Sequence, residues 1–141
     1  LFLIGGSNGK KFTFLGRAGR ELGVDGGERV DARADDLGRE PTCREQFYAA
    51  IARAVAPLSS LAEYCMPFVR VDGRFVAWKG SEDELAGGKR AVRVLGGGES
   101  CAVGYELPES FGKRTLIVTE KIRSTPAQYP RGNGKERKNP L

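Results

Sequence analysis

Residues 47–80 read FYAAIARAVAPLSSLAEYCMPFVRVDGRFVAWKG, and this one stretch spells out strand, turn, helix, turn and strand. Tyr48, Ala49, Ala50, Ile51 and Ala52 form a short apolar run of the kind a buried parallel strand shows, and Arg53 is the first charge after it. Pro57 suits the first turn of a helix, where its missing N–H would have no partner anyway. Leu58, Leu61, Tyr64, Cys65 and Phe68 then recur at helical spacing. Asp72 and Gly73 predict a turn into a second strand over residues 74–78. In open α/β sheets ligands sit at the carboxyl ends of the strands. A buried strand that carries Arg53 at that end is the first place to look for function.

Working outward, the apolar run at residues 1–4 ends in Gly5, Gly6, Ser7, Asn8 and Gly9, and a basic amphipathic stretch follows over residues 10–22. That pattern predicts strand, loop and helix, with Gly23 closing the helix in the left-handed position. Residues 29–32 predict a short strand, and Asp35 with Asp36 opens another helical turn. Downstream, residues 82–95 predict a helix stopped by Gly96, Gly97 and Gly98. Residues 100–107 and 114–121 then predict two strands that pair as an antiparallel ribbon at the sheet edge.

Alternating strands and helices specify an α/β, doubly wound, Rossmann-like sheet that is mostly parallel. An ending of two strands with no helix between them narrows this to the class I methyltransferase arrangement. On that count the chain holds the second to seventh strands. The first, central strand and its glycine-rich loop are expected upstream of Leu1, so the chain is read as a fragment of a longer protein. Residues 1–122 are read as the partial domain and residues 123–141 as a separate basic arm.

The chain has 141 residues and a net charge of +5, enough for one domain with a modest core. It shows neither a long apolar span nor a signal-peptide pattern, so a soluble, cytoplasmic protein without membrane contact is expected. It has no histidine, which removes the commonest zinc ligand and the commonest general base. Cys43, Cys65 and Cys101 lack metal-ligand spacing and are read as small buried side chains, so no metal site is expected. Phe75 and Trp78 are read as sheet core. Much of the excess charge lies in Lys121, Arg123, Arg131, Lys135, Arg137 and Lys138, set against Glu136 alone. With three prolines and two glycines, residues 121–141 are read as an extended arm with no regular helix, suited to nucleic acid, the alternative being a solvated tail or one that packs back on its own domain.

Five segments in chain order resemble the GidB (RsmG) family, bacterial methyltransferases that use S-adenosylmethionine to methylate N7 of a guanine in 16S ribosomal RNA. They are Ser7-Asn8-Gly9-Lys10-Lys11 with Phe14-Leu15, Arg33-Ala34-Asp35-Asp36-Leu37, Ala52-Arg53-Ala54-Val55-Ala56-Pro57-Leu58, Phe75-Val76-Ala77-Trp78-Lys79-Gly80, and Tyr129-Pro130-Arg131 with Asn139-Pro140-Leu141. The resemblance implies that Gly6, Ser7 and Asn8 border the cofactor ribose, with Gly6 at the position where the family usually carries an acid. It implies that Ala34 and Asp35 lie beside the adenine; the residue chemistry alone equally allows Asp35 or Asp36 to cap a helix. Arg53 is implied to line the cleft of cofactor and guanine, and an ion pair with a nearby acid is the bland alternative. Lys79, Arg123, Arg131, Lys135, Arg137 and Lys138 are implied to contact RNA, and a solvated strand-end lysine is the alternative for Lys79. Tyr48 and Asp72 depart from the family's usual residues.

The partner implied is 16S rRNA or a precursor of the small ribosomal subunit, met by a monomer. No catalytic acid or base is assigned, because N7 of guanine carries a free lone pair at neutral pH. Two other functions stay open on the residues alone: an RNA-binding module without chemistry, and a nucleotide-binding oxidoreductase. The antiparallel ending and the lack of a phosphate-binding glycine motif argue against the second.

Overall fold

The computed structural model describes residues 2–5, 9–23, 27–30, 32–53, 56–81 and 83–141. Strand β1 (Phe2–Gly5) pairs in parallel with β2 (Gly27–Val30), and helix α1 (Gly9–Glu21) connects them. The short helix α2 (Ala34–Leu37) leads to a second sheet made of β3 (Phe47–Arg53), β4 (Val69–Lys79), β5 (Gly97–Glu106) and β6 (Lys113–Lys121). Its strand order is β3-β4-β6-β5. Parallel β3 and β4 are joined through α3 (Leu58–Cys65), and α4 (Glu84–Val94) leads from β4 to β5. Strand β6 returns antiparallel to both neighbours, so the expected ribbon does close the sheet edge. Among the described residues the two sheets share no strand pair, and β3 is an edge.

The core lies on one face of the larger sheet. Phe75 and Ala77 of β4 alternate with outward residues and meet Ile117 of β6, while Leu58, Leu61 and Ala62 of α3 and Ala91 and Val92 of α4 close over them. Burying one such leucine or phenylalanine contributes about 1.5–3 kcal/mol. Close packing of the two helices needs Gly88, where a Cβ would come within 2.4 Å of the Leu58 side chain.

Four expectations need correction. Strand β3 is not buried: Ile51 is 67% and Tyr48 51% exposed, because β3 is an edge strand and only Ala50 and Ala52 pack on the core. Asp72 and Gly73 do not separate helix from strand but bulge within an 11-residue β4. Phe47 faces Val69 while Ala49 faces Arg74, so residues 70–73 loop out of register, with Asp72 left-handed at φ 65°. Phe75 is core, but Trp78 is 41% exposed on the opposite face, and Cys101 is exposed on that same face rather than buried. The C-terminal segment is not extended: it forms helix α5 (Lys135–Lys138) between Pro130 and Pro140, since no proline interrupts that turn.

Candidate functional site

Arg53 stands at the carboxyl end of β3, opposite Trp78 of β4. It is exposed, and no hydrogen bond or ion pair joins it to another described residue, so the structural alternative of an ion pair is not what the fold provides. Its guanidinium is available to a ligand.

Lys79 ends the neighbouring strand but points the other way. It shares the face of Phe75 and Ala77, is buried, and donates to the Ala56 carbonyl at 2.5 Å while pairing with Glu84 at 2.7 Å. Glu84 also accepts the Leu58 backbone N–H at 2.9 Å. A buried ammonium must be paired and hydrogen-bonded, and here both partners hold the connection between β3 and α3. Lys79 is therefore a buried, paired group rather than an exposed strand-end lysine.

At the start of α2, Arg33 forks onto Asp35 through Nε at 3.0 Å and Nη2 at 2.9 Å. The hydrogen bond to Asp35 and the charge of that carboxylate hold the Arg33 guanidinium above its ordinary range. Asp35 is buried, and the N-cap position is taken by Arg33 without a side-chain cap, so neither aspartate caps this helix. Asp36 remains two-thirds exposed beside it. A polar groove of about 550 Å³ runs from Arg33, Asp36 and Arg39 to Asn133 and Lys138 of the C-terminal segment. Gly6, Ser7 and Asn8 lie outside the described residues, although Gly5 ends β1 just before them.

Residues 2–108 match GidB, the family described as rRNA small subunit methyltransferase G. The chain belongs to that family. A ribosomal RNA small subunit methyltransferase G of Brevibacillus brevis is 43% identical over 134 residues, 94% of this chain and 56% of its own length. Another, from Lactobacillus johnsonii, is 44% identical over 137 residues, 96% of this chain and 57% of its own length. The chain thus spans little more than half the length of these relatives. Among solved structures, an rRNA methylase from Streptococcus thermophilus superimposes with a TM-score of 0.57 at 17% identity, covering 86% of this chain and 73% of the other. The tRNA (m1A58) methyltransferase TrmI from Aquifex aeolicus gives 0.63 at 9% identity, covering 86% and 53%. At such identities the likeness concerns the fold, and that fold is the methyltransferase one expected from the strand order.

The C-terminal segment of this GidB chain is clasped to the domain. Arg44 donates to the carbonyls of Gly38, Tyr129 and Thr125 at 2.8–3.0 Å, and Arg39 forks onto the Pro130 carbonyl at 2.7 and 3.0 Å. Arg131, expected on RNA, instead grips buried Glu63 through its backbone N–H and Nε at 2.9 Å and Nη2 at 2.7 Å. Glu136 is buried as well, accepting the Gly132 N–H. Arg123, Lys135, Arg137 and Lys138 stay exposed, and Arg123 also donates to the Arg93 carbonyl. Glu45, Glu63 and Arg44 were invisible as anchors in the sequence, because each reaches a partner far along the chain. The one local hint is Glu63, a charge set within the apolar stripe of α3.

Lys121, grouped with the tail charges by composition, is fully buried and bonded to Glu45 at 2.7 Å. Burial alone would raise the Glu45 carboxyl, but the Lys121 ammonium and the Thr125 N–H outweigh it and hold the group below its ordinary 4.5. The stabilisation this brings is complete above that ordinary value and is lost as pH falls through the lower folded one. Urea denaturation across a pH series should therefore show the chain losing stability below pH 4.5 more steeply than a Glu45→Gln variant. Parallel pH profiles for the two would remove the role given to Glu45.

Proposed function

We propose that this chain carries the cleft of a methyltransferase that moves a methyl group from S-adenosylmethionine to N7 of a guanine in 16S rRNA, in the cytoplasm. The observation that carries the reading is Arg53, exposed at the carboxyl end of a parallel strand in a chain of the GidB family. The cofactor has a carboxylate, an adenine amine and a ribose diol to be held. The described residues fit two of these: Arg53 suits a carboxylate, and the exposed Asp36 carboxylate beside Ala34 and Asp35 suits an amine. Gly6, Ser7 and Asn8 are the segment proposed for the diol.

When bound, S-adenosylmethionine supplies an electrophilic sulfonium methyl. The nucleophile is a lone pair that needs no deprotonation, which suits a chain without histidine. What remains for the protein is placement and exclusion of water. Arg53 orients one of the two reactants, the cofactor through its carboxylate or the RNA through the guanine edge, by a forked hydrogen bond. Lys79, through Ala56 and Glu84, holds the connection that follows Arg53. Arg123, Lys135, Arg137 and Lys138 attract the RNA backbone, an attraction that weakens as salt rises.

The test is transfer of a labelled methyl group from S-adenosylmethionine to 16S rRNA, with the product mapped to guanine N7. Arg53→Ala should slow transfer roughly tenfold to thirtyfold, the ~1.5–2 kcal/mol of one charge-assisted hydrogen bond, without lowering the unfolding midpoint. Wild-type rates in that variant would remove Arg53 from the cleft. RNA binding with no affinity for S-adenosylmethionine would replace the enzyme reading by that of an RNA-binding module.

A further inference from the structure

Helix α4 carries Lys89, Arg90 and Arg93 within about one turn, and all three are exposed. Lys89 and Arg93 stand four residues apart and Arg90 and Arg93 three, spacings at which like charges destabilise a helix. Nothing nearby on the helix offsets that repulsion. Residues 85–98 contain no acid, and among the described residues none of the three side chains has a hydrogen-bond or ion-pair partner. The acids that flank α4 in the sequence are engaged or face elsewhere. Asp83 accepts the Ser81 hydroxyl, and Glu84 holds Lys79 and the Leu58 N–H. Glu99 and Glu120 adjoin Ser100 and Thr119, which bond to each other on the core side, so strand alternation turns both acids to the opposite face of the sheet.

Gly87 is an independent observation. Glycine inside a helix is destabilising against alanine; Gly88 has a reason in its contact with Leu58, but a Cβ at Gly87 would meet nothing within 4 Å. Exposed Ala86 and Gly87 lie one turn before Lys89 and Arg90 and leave the helix backbone open to close approach by a ligand. The charge continues past the helix, where Arg123 donates to the Arg93 carbonyl and residues 121–135 contain no acid. At its other end α4 starts from the carboxyl edge of the sheet, since Glu84 pairs with Lys79 of β4, the strand beside Arg53.

We propose that α4 is a track for the RNA backbone that leads from the Arg53 cleft to Arg123, with Lys89, Arg90 and Arg93 on phosphates and Ala86 and Gly87 at the closest approach. This rests on the rRNA reading above. From residue 86 to residue 93 the helix rises about 10 Å, and a stacked strand with one phosphate per roughly 3.4 Å of axis lays about three phosphates along it. A lipid surface fits less well, because the apolar side of α4, with Ala91 and Val92, is already buried in the core.

The test is binding of 16S rRNA to the chain over a salt series, without S-adenosylmethionine. Arg90→Gln/Arg93→Gln should lower the slope of log K against log salt by about 1.4–1.8 and weaken binding about thirtyfold at ~0.1 M salt. Arg17→Gln/Arg20→Gln removes the same charge from the exposed side of α1 and should leave the slope nearly unchanged. Gly87→Leu should raise the thermal midpoint, leucine being the better helix former, and still weaken binding. In methyl transfer, the arginine variant should raise KM for RNA and leave kcat and the KM for S-adenosylmethionine as they are. An unchanged slope in the arginine variant would overturn the proposal whether or not methyl transfer occurs. So would an equal fall in the α1 variant, which reduces the effect to net charge, or binding of phosphatidylserine vesicles in place of RNA. Because the slope is read without cofactor, a chain with the expected slopes that transfers no methyl group loses the enzyme reading and keeps the track.

Discussion

Lys121→Ala is expected to lower the unfolding free energy by about 3–5 kcal/mol, since each buried carbonyl left without its donor costs about 1–3 kcal/mol and an ion pair is lost besides. The ammonium is fully buried and donates to Glu45 at 2.7 Å, to the Met66 carbonyl at 2.8 Å and to the Val69 carbonyl at 2.6 Å. Three donors meet three acceptors, so removal leaves two buried carbonyls and a carboxylate without their partner at once. Those carbonyls belong to the first residue of the turn after α3 and the first residue of β4, and Glu45 also accepts the Thr125 N–H at 2.7 Å. The loss therefore reaches both the start of a core strand and the C-terminal clasp. Domains of this size are stable by about 5–15 kcal/mol in total, so the variant should approach unfolding at 37 °C. Lys121→Met keeps most of the volume but none of the donors. Urea denaturation in which either variant lost less than about 1 kcal/mol would show that water replaces the ammonium, contrary to its burial.

Glu63→Ala is expected to cost about 2–4 kcal/mol and to free the C-terminal segment. The carboxylate is fully buried in α3 and accepts three N–H groups of Arg131, while the Arg131 side chain keeps about a fifth of its surface in water. Arg131 can turn outward, as can Glu45 once Lys121 is gone, but Lys121→Ala also strips the buried Met66 and Val69 carbonyls, so the loss for Glu63→Ala should lie below it. Limited trypsin digestion should cut after Arg131 and Arg137 much faster in the variant, with cleavage elsewhere little changed. If digestion stayed as slow as in the parent, Arg44 and Arg39 alone would suffice to hold the segment. Glu63→Gln should fall between the two, since an amide oxygen still accepts one hydrogen bond.

Most of the elements were legible because their signals are local. Pro57, the helical spacing from Leu58 onward, the glycine stop at Gly96 and the alternation in β6 each act over a few residues, and the elements they mark are present, although Pro57 stands at the N-cap, Phe68 lies past the end of α3, and Gly97 and Gly98 already belong to β5. Arg53 was legible for the same reason, as the first charge after an apolar run. Other features failed on the same logic. Ile51 resembles a buried strand residue, yet exposure depends on whether another strand lies beside β3 and another layer lies over it. Asp72 and Gly73 carry true turn chemistry, but the pairing of β3 with β4 on both sides of them makes that chemistry a bulge.

The candidate site divides in the same way. Residue chemistry picked out Arg53, Lys79 and Asp35, but only packing shows that Arg53 is free, that Lys79 faces inward and that Asp35 is held by Arg33. Period-two alternation tells which residues share a face without telling which face the helices will cover. Charge was the least legible property of all. Lys121, Arg131 and Glu136 belong by composition to a solvated tail, and they end up buried or gripped because Glu45, Glu63 and Gly132 come to meet them. Local sequence, through periodicity and turn chemistry, was enough to set the order and type of the elements up to β6, and the resemblance of five segments gave the family. That Lys121 and Arg131 hold the fold together rather than face a ligand depends on partners 76 and 68 residues away, which meet only when the sheet and its helices pack.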